Sequence, residues 1–88
     1  MKDKHGKIVE VGDLIRVLEI YEGFLNTLPE DERILHEEML HQKYVVDEIL
    51  EDSTKASVSF FKDTAEGVYH GGLYMLSHEF EIVRKVGR

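Results

Sequence analysis

Apolar residues recur with a period near two over most of this chain and with a period near 3.6 in one stretch, which predicts strands surrounding a single helix. From Ile8 to Ile20 apolar side chains dominate, broken by Gly12-Asp13, a dipeptide suited to a tight turn or sharp bend. Beyond that break, Leu14 to Ile20 holds β-branched and aliphatic residues with charge only at Arg16 and Glu19, the composition of a strand largely buried on both faces. Tyr21, Glu22, Gly23 and Phe24 end the pattern and read as a loop.

The helical period runs from Thr27 to about Gln42. Thr27 and Glu30 have the spacing of a capping box, Pro29 is tolerated in a first turn, and Glu30, Asp31 and Glu32 sit where the helix dipole favours negative charge. At about 100° per residue, Leu28, Leu35 and Met39 share one stripe flanked by Ile34 and Leu40, so the helix packs by one face and shows acid on the other.

Strand chemistry then returns. Tyr44 to Leu50 leads into Glu51-Asp52-Ser53 as a hairpin loop; Lys55 to Phe60 alternates, placing Ala56, Val58 and Phe60 inward; Asp63 to Gly67 forms a second turn. Val68 to Leu76 carries Gly71-Gly72 in its middle, a pair that marks a β-bulge or a close backbone approach. Such a bulge shifts the alternation between Tyr69 and Tyr74, so that one of the two tyrosines is exposed beside His70. A short Ser77-His78-Glu79 turn precedes a closing strand from Phe80 to Val83.

Five hairpin-connected strands with a helix after the first resemble an SH3-like barrel, and the resemblance covers nearly the whole of residues 1–88 as one domain. More narrowly, Leu28-Pro29-Glu30-Asp31-Glu32 together with His78-Glu79-Phe80-Glu81-Ile82-Val83 is similar to a family of small bacterial proteins of unassigned function. That resemblance implies a fold and transfers no activity.

Charge narrows the partners. Eighteen acidic against eleven basic residues give a net charge of −7, a field that repels phosphate backbones and favours a basic protein partner. Lys2, Lys4 and Lys7 at one end, and Arg84, Lys85 and Arg88 at the other, read as solvated termini. Cysteine is absent, which removes disulfides and thiolate metal sites and suits a reducing cytoplasm; neither a leader-like segment nor an apolar run of membrane length is visible.

Candidate chemistry is sparse. His36 and His41 suggest the zinc signature, yet five positions carry them about 140° apart around a helix, and Glu37 with His41 is a surface pair; no metal or cofactor is expected. Asp47 and Glu48 point to opposite faces of a strand, whereas Glu79 and Glu81 read as the exposed side of the closing strand. Ser53, Ser57, Ser59 and Ser77 lack a nucleophile context, so no catalytic residue is assigned. Tyr69, His70 and Tyr74, beside permissive backbone, offer the best binding surface, with Glu37 and Glu38 of the helix as its acidic part; in a barrel this small, Tyr44, Phe60, Tyr69, Tyr74 and Phe80 equally serve as core.

The sequence therefore predicts a protein-interaction module, monomeric or weakly dimeric, presenting an aromatic and acidic surface. Its rival is a small hydrolase or metal-dependent enzyme built on His70, His78 and nearby carboxylates.

Overall fold

The alternation that begins at Lys55 runs well past Phe60. In the computed structural model, which describes residues 1–50, Asp52 and 54–87, it forms a nine-residue strand β4 (Ala56–Thr64) that turns into an equally long β5 (Gly67–Met75). The other elements are β1 (Leu14–Val17), α1 (Glu22–Leu25), α2 (Glu30–Glu37), β2 (Lys43–Val45), β3 (Glu48–Ile49), a 3-10 turn at Ser77–Glu79, and β6 (Phe80–Arg84).

All pairings are antiparallel, and the strands make two three-stranded sheets with orders β2-β1-β6 and β3-β4-β5. Hydrogen bonding among the described residues does not close them into one barrel, and six strands stand where five were expected. The extra strand arises because the segment from Tyr44 to Leu50 serves both sheets. At Val46-Asp47 the chain changes partner: Val46 N donates to Asp13 O, beside β1, and Asp47 N donates to Ser57 O of β4. The expected loop at Glu51-Asp52-Ser53 lies partly outside the described residues.

One buried cluster joins the sheets, formed by Ile15 and Val17 of β1, Ala56 and Val58 of β4, Leu73 and Met75 of β5, and Phe80, with Val9, Met39 and Val46. The strand residues among them are the inward positions of alternating strands, and removal of the cluster from water is the main stabilising term. Phe60, expected to be buried, is half-buried at the edge of this cluster.

The helix expected from Thr27 to about Gln42 is shorter at both ends, α2 covering Glu30–Glu37, and a separate helical turn precedes it. Thr27 does not cap α2; its hydroxyl donates to Phe24 O at 2.6 Å, and the N-cap position falls to Pro29, with no side-chain cap. The same contacts close the turn after α1, so Glu22–Leu25 is a helical turn and not the expected loop. At the far end His41 takes a left-handed φ of 66° and its N–H reaches Val17 O at 2.7 Å, which ends the helical stretch against β1.

Of the first strand signal Leu14–Val17 forms a strand, and Ile8 makes an isolated antiparallel bridge with Lys2. The preceding backbone is held by carboxylates: Asp3 accepts from the N–H groups of His5, Lys7 and Ile82, and Asp13 from those of Glu10 and Val86. Lys85, expected in a solvated tail, is bound to Asp13 at 2.6 Å and to Ile8 O at 2.8 Å. Arg88 lies outside the described residues. No helix among the described residues is long and apolar enough to cross a membrane.

Candidate functional site: the outer face of the long hairpin

The glycine pair makes no bulge. β4 and β5 stay in continuous register from Ala56↔Met75 to Thr64↔Gly67, with Phe60 opposite Gly71 and Ser59 opposite Gly72. Unbroken alternation puts residues five apart on opposite faces, so Tyr69 faces inward and Tyr74 outward; an inserted residue would have brought them to the same side. One tyrosine is exposed, as expected, for a different reason. Tyr74 is 59% exposed and Tyr69 half-buried.

Gly71 is explained by its neighbours. A Cβ there would stand 2.5 Å from Phe60 and 2.9 Å from Tyr69, so the two rings occupy the space over it. They form a cluster with His36, whose ring makes edge contacts with Phe24, Phe60 and Tyr69 at centroid distances of 5.3–6.3 Å. His36 is thus an interior residue of the α2–hairpin contact. Burial and the Glu32 and Asp31 carboxylates push the Tyr69 phenol above its ordinary value.

Opposite this packed side lies an open one. Phe61 and His70 face each other across the strands and stack at 4.5 Å with rings 11° from parallel. Val68 and Tyr74 continue the same face of β5, and Phe61 is 71% exposed. Between the stack and Tyr74 the floor is small, made by Ser59 and Gly72. Its acidic border comes from the β3 side, where Asp47 accepts from the Ser59 hydroxyl at 2.6 Å and Glu48 pairs with Ser57.

A cleft of about 540 Å³ adjoins this face at the end of β5. Tyr21 and Phe24 wall it from α1, Tyr74 and Leu76 from the hairpin, and Glu79 and Lys55 contribute its charged groups. Glu79, read from sequence as exposed, is 5% exposed, because the 3-10 turn folds it back to accept the Leu76 N–H at 2.7 Å. Glu81 is half-buried, and hydrogen bonds from His5 and Arg16 hold its carboxyl below the usual range.

The five expected partner-binding residues therefore divide between two sides. His70 and Tyr74 share the open face; Tyr69 is under α2; Glu37 ends α2 bound to Arg33 at 2.9 Å, and Glu38 follows it, 3.9 Å from Lys62. Phe61 and Tyr21 escaped sequence reading, although the Phe60-Phe61 doublet on an alternating strand requires one ring outward. His78 sits on the 3-10 turn facing Glu19 at 3.8 Å, on a different element from His70. Among the described residues no three His, Asp or Glu side chains are arranged to hold a metal ion.

Compared with family models, curated proteins and solved structures, the chain matches none.

Proposed function

We propose that this protein is a small non-catalytic interaction module that holds a polypeptide partner on the outer face of the β4–β5 hairpin and in the adjoining cleft. The observation that carries this reading is the contiguous exposure of Phe61, Val68, His70 and Tyr74 on one side of a continuously paired hairpin. Soluble domains seldom leave adjoining apolar groups in water without a use for them. Aromatic rings supply contact area at low entropic cost, and the acidic border with a net charge of −7 steers a basic partner toward them.

In architecture we read the two sheets as an open SH3-like arrangement, with β2 and β3 the halves of one strand that changes sheets at Val46-Asp47. This restores the count of five. A cysteine-free chain of this composition suits the cytoplasm.

The test is site-specific crosslinking. A photoreactive amino acid replaces Phe61 in one variant and the exposed Lys2 in another, and adducts formed in a lysate of the source organism are identified. A discrete polypeptide adduct at position 61, absent at position 2 and lost on adding Tyr74→Ser, is the expected result. Equal adduct patterns at both positions would remove the reading.

A further inference from the structure

Glu79 lines a largely apolar cleft, and one of its two carboxylate oxygens has a partner among the described residues. Oε1 accepts the Leu76 N–H at 2.7 Å; Oε2 has no hydrogen-bond or ion-pair partner among the described residues. No fully enclosed side-chain oxygen or nitrogen in that set lacks a partner, so Oε2 keeps the small exposure that Glu79 retains, and the space Glu79 borders is the cleft. A carboxylate oxygen with so little exposure is poorly hydrated, and a cation brought to it would add a charge-assisted hydrogen bond.

The walls suit the rest of such a cation. Tyr21, Phe24 and Tyr74 present aromatic rings, which attract guanidinium and ammonium groups, and Leu76 adds aliphatic surface for a methylene stem. The one cation among the described lining residues, Lys55, makes no ion pair with Glu79 there; its charge acts on Asp52.

We propose that this cleft is an anchor pocket for the side chain of an arginine or lysine on the partner polypeptide, its charged head at Glu79 Oε2 and its stem between Tyr21 and Tyr74. The proposal rests on the interaction-module reading and names the residue by which the partner is held. It also links the cleft to the open face, because Tyr74 belongs to both.

The experiment compares two short blocked peptides, identical except that the central arginine of one is citrulline in the other, a neutral group of the same shape. Each is titrated into the whole protein while the amide signals of Leu76 and Tyr74 are followed. The arginine peptide is expected to bind about tenfold more tightly. Glu79→Gln keeps an oxygen to accept the Leu76 N–H and should bring the two peptides to within about twofold by weakening the arginine peptide alone. Tyr21→Ser, at a position 69% exposed, should weaken the arginine peptide without disturbing the fold, which keeps the test valid if Glu79→Gln folds poorly. Equal affinities in the native protein, shifts confined to Phe61 and His70, or no binding of either peptide would each overturn the anchor. If the position-61 adduct forms undiminished in Glu79→Gln, the anchor falls while the interaction module stands.

Discussion

The imidazole of His36 joins α2 to the edge of β5: Nε2 lies 3.2 Å from Gly72 O, and Nδ1 lies 2.8 Å from Glu32 O within the helix. Both partners are carbonyls, which only accept, so a neutral ring with its single N–H serves one of them and a protonated ring serves both. β5 is the outer strand of its sheet, nine residues long and free of Lys, Arg, Asp and Glu, and His36 occupies one of the edge acceptors that would otherwise invite a foreign strand. Replacing His36 by Ala removes these contacts and leaves a hole among Phe24, Phe60 and Tyr69. A loss of about 2–4 kcal/mol in urea denaturation is expected. A loss below about 1 kcal/mol would show that neither the two contacts nor the filled space contributes as argued.

The two central glycines of β5 should respond differently to the same change. Gly71→Ala drives a methyl into the Phe60 and Tyr69 rings at 2.5–2.9 Å and is expected to cost about 1–3 kcal/mol. At Gly72 the nearest obstacle is Val58 O at 3.4 Å, so Gly72→Ala should stay within about 0.5 kcal/mol. Thermal melts of the two variants side by side decide it. Equal losses would mean that backbone freedom, and not the space taken by the rings, selects glycine at both positions.

These residues also show what the sequence exposes and what it hides. Strand alternation is local, and it correctly assigns Ala56 and Val58 to the core; the outward Tyr74 follows from unbroken alternation and not from the expected bulge. The reason for Gly71 is not local. It depends on Phe60, eleven positions earlier, standing opposite, and without that register a glycine pair reads as a bulge. Glu79 misleads in the same way: its acid-apolar neighbourhood fits an edge strand, but a 3-10 turn reverses its side chain toward Leu76. The capping box fails because α2 begins at Glu30 with Pro29 as its N-cap, two residues beyond Thr27, whose hydroxyl donates to Phe24 O. The buried roles of Asp3 and Asp13 join opposite ends of the chain, a relation that periodicity does not carry.

His41 offers a stabilising substitution. It holds a φ of 66°, a left-handed conformation that costs an L side chain about 1 kcal/mol, and its side chain is exposed. His41→Gly relieves that strain and gives some of the gain back to the freer unfolded chain. A net stabilisation of about 0.5 kcal/mol is expected from denaturant midpoints. A destabilised variant would indicate that the imidazole makes a contact of its own.

Acid should unfold the protein through two aspartates. Burial raises the carboxyl of Asp3, but hydrogen bonds from the N–H groups of Ile82, Lys7 and His5 outweigh it; for Asp13, burial is outweighed by Lys85 and by the N–H groups of Val86 and Glu10. Both folded-state values therefore lie below the ordinary 3.8. A carboxyl depressed on folding adds stability that is complete above its unfolded value and is lost as pH falls through the folded one. Denaturation free energy should accordingly be level near neutrality, as far as these groups decide it, and fall as pH drops through and below 3.8. Asp13→Asn cannot titrate and leaves Lys85 with Glu10, at 3.2 Å, as its remaining anion, so this variant should be less stable at neutral pH and lose less on acidification. A variant whose acid slope equals that of the native protein would show that Asp13 is not a source of the pH dependence.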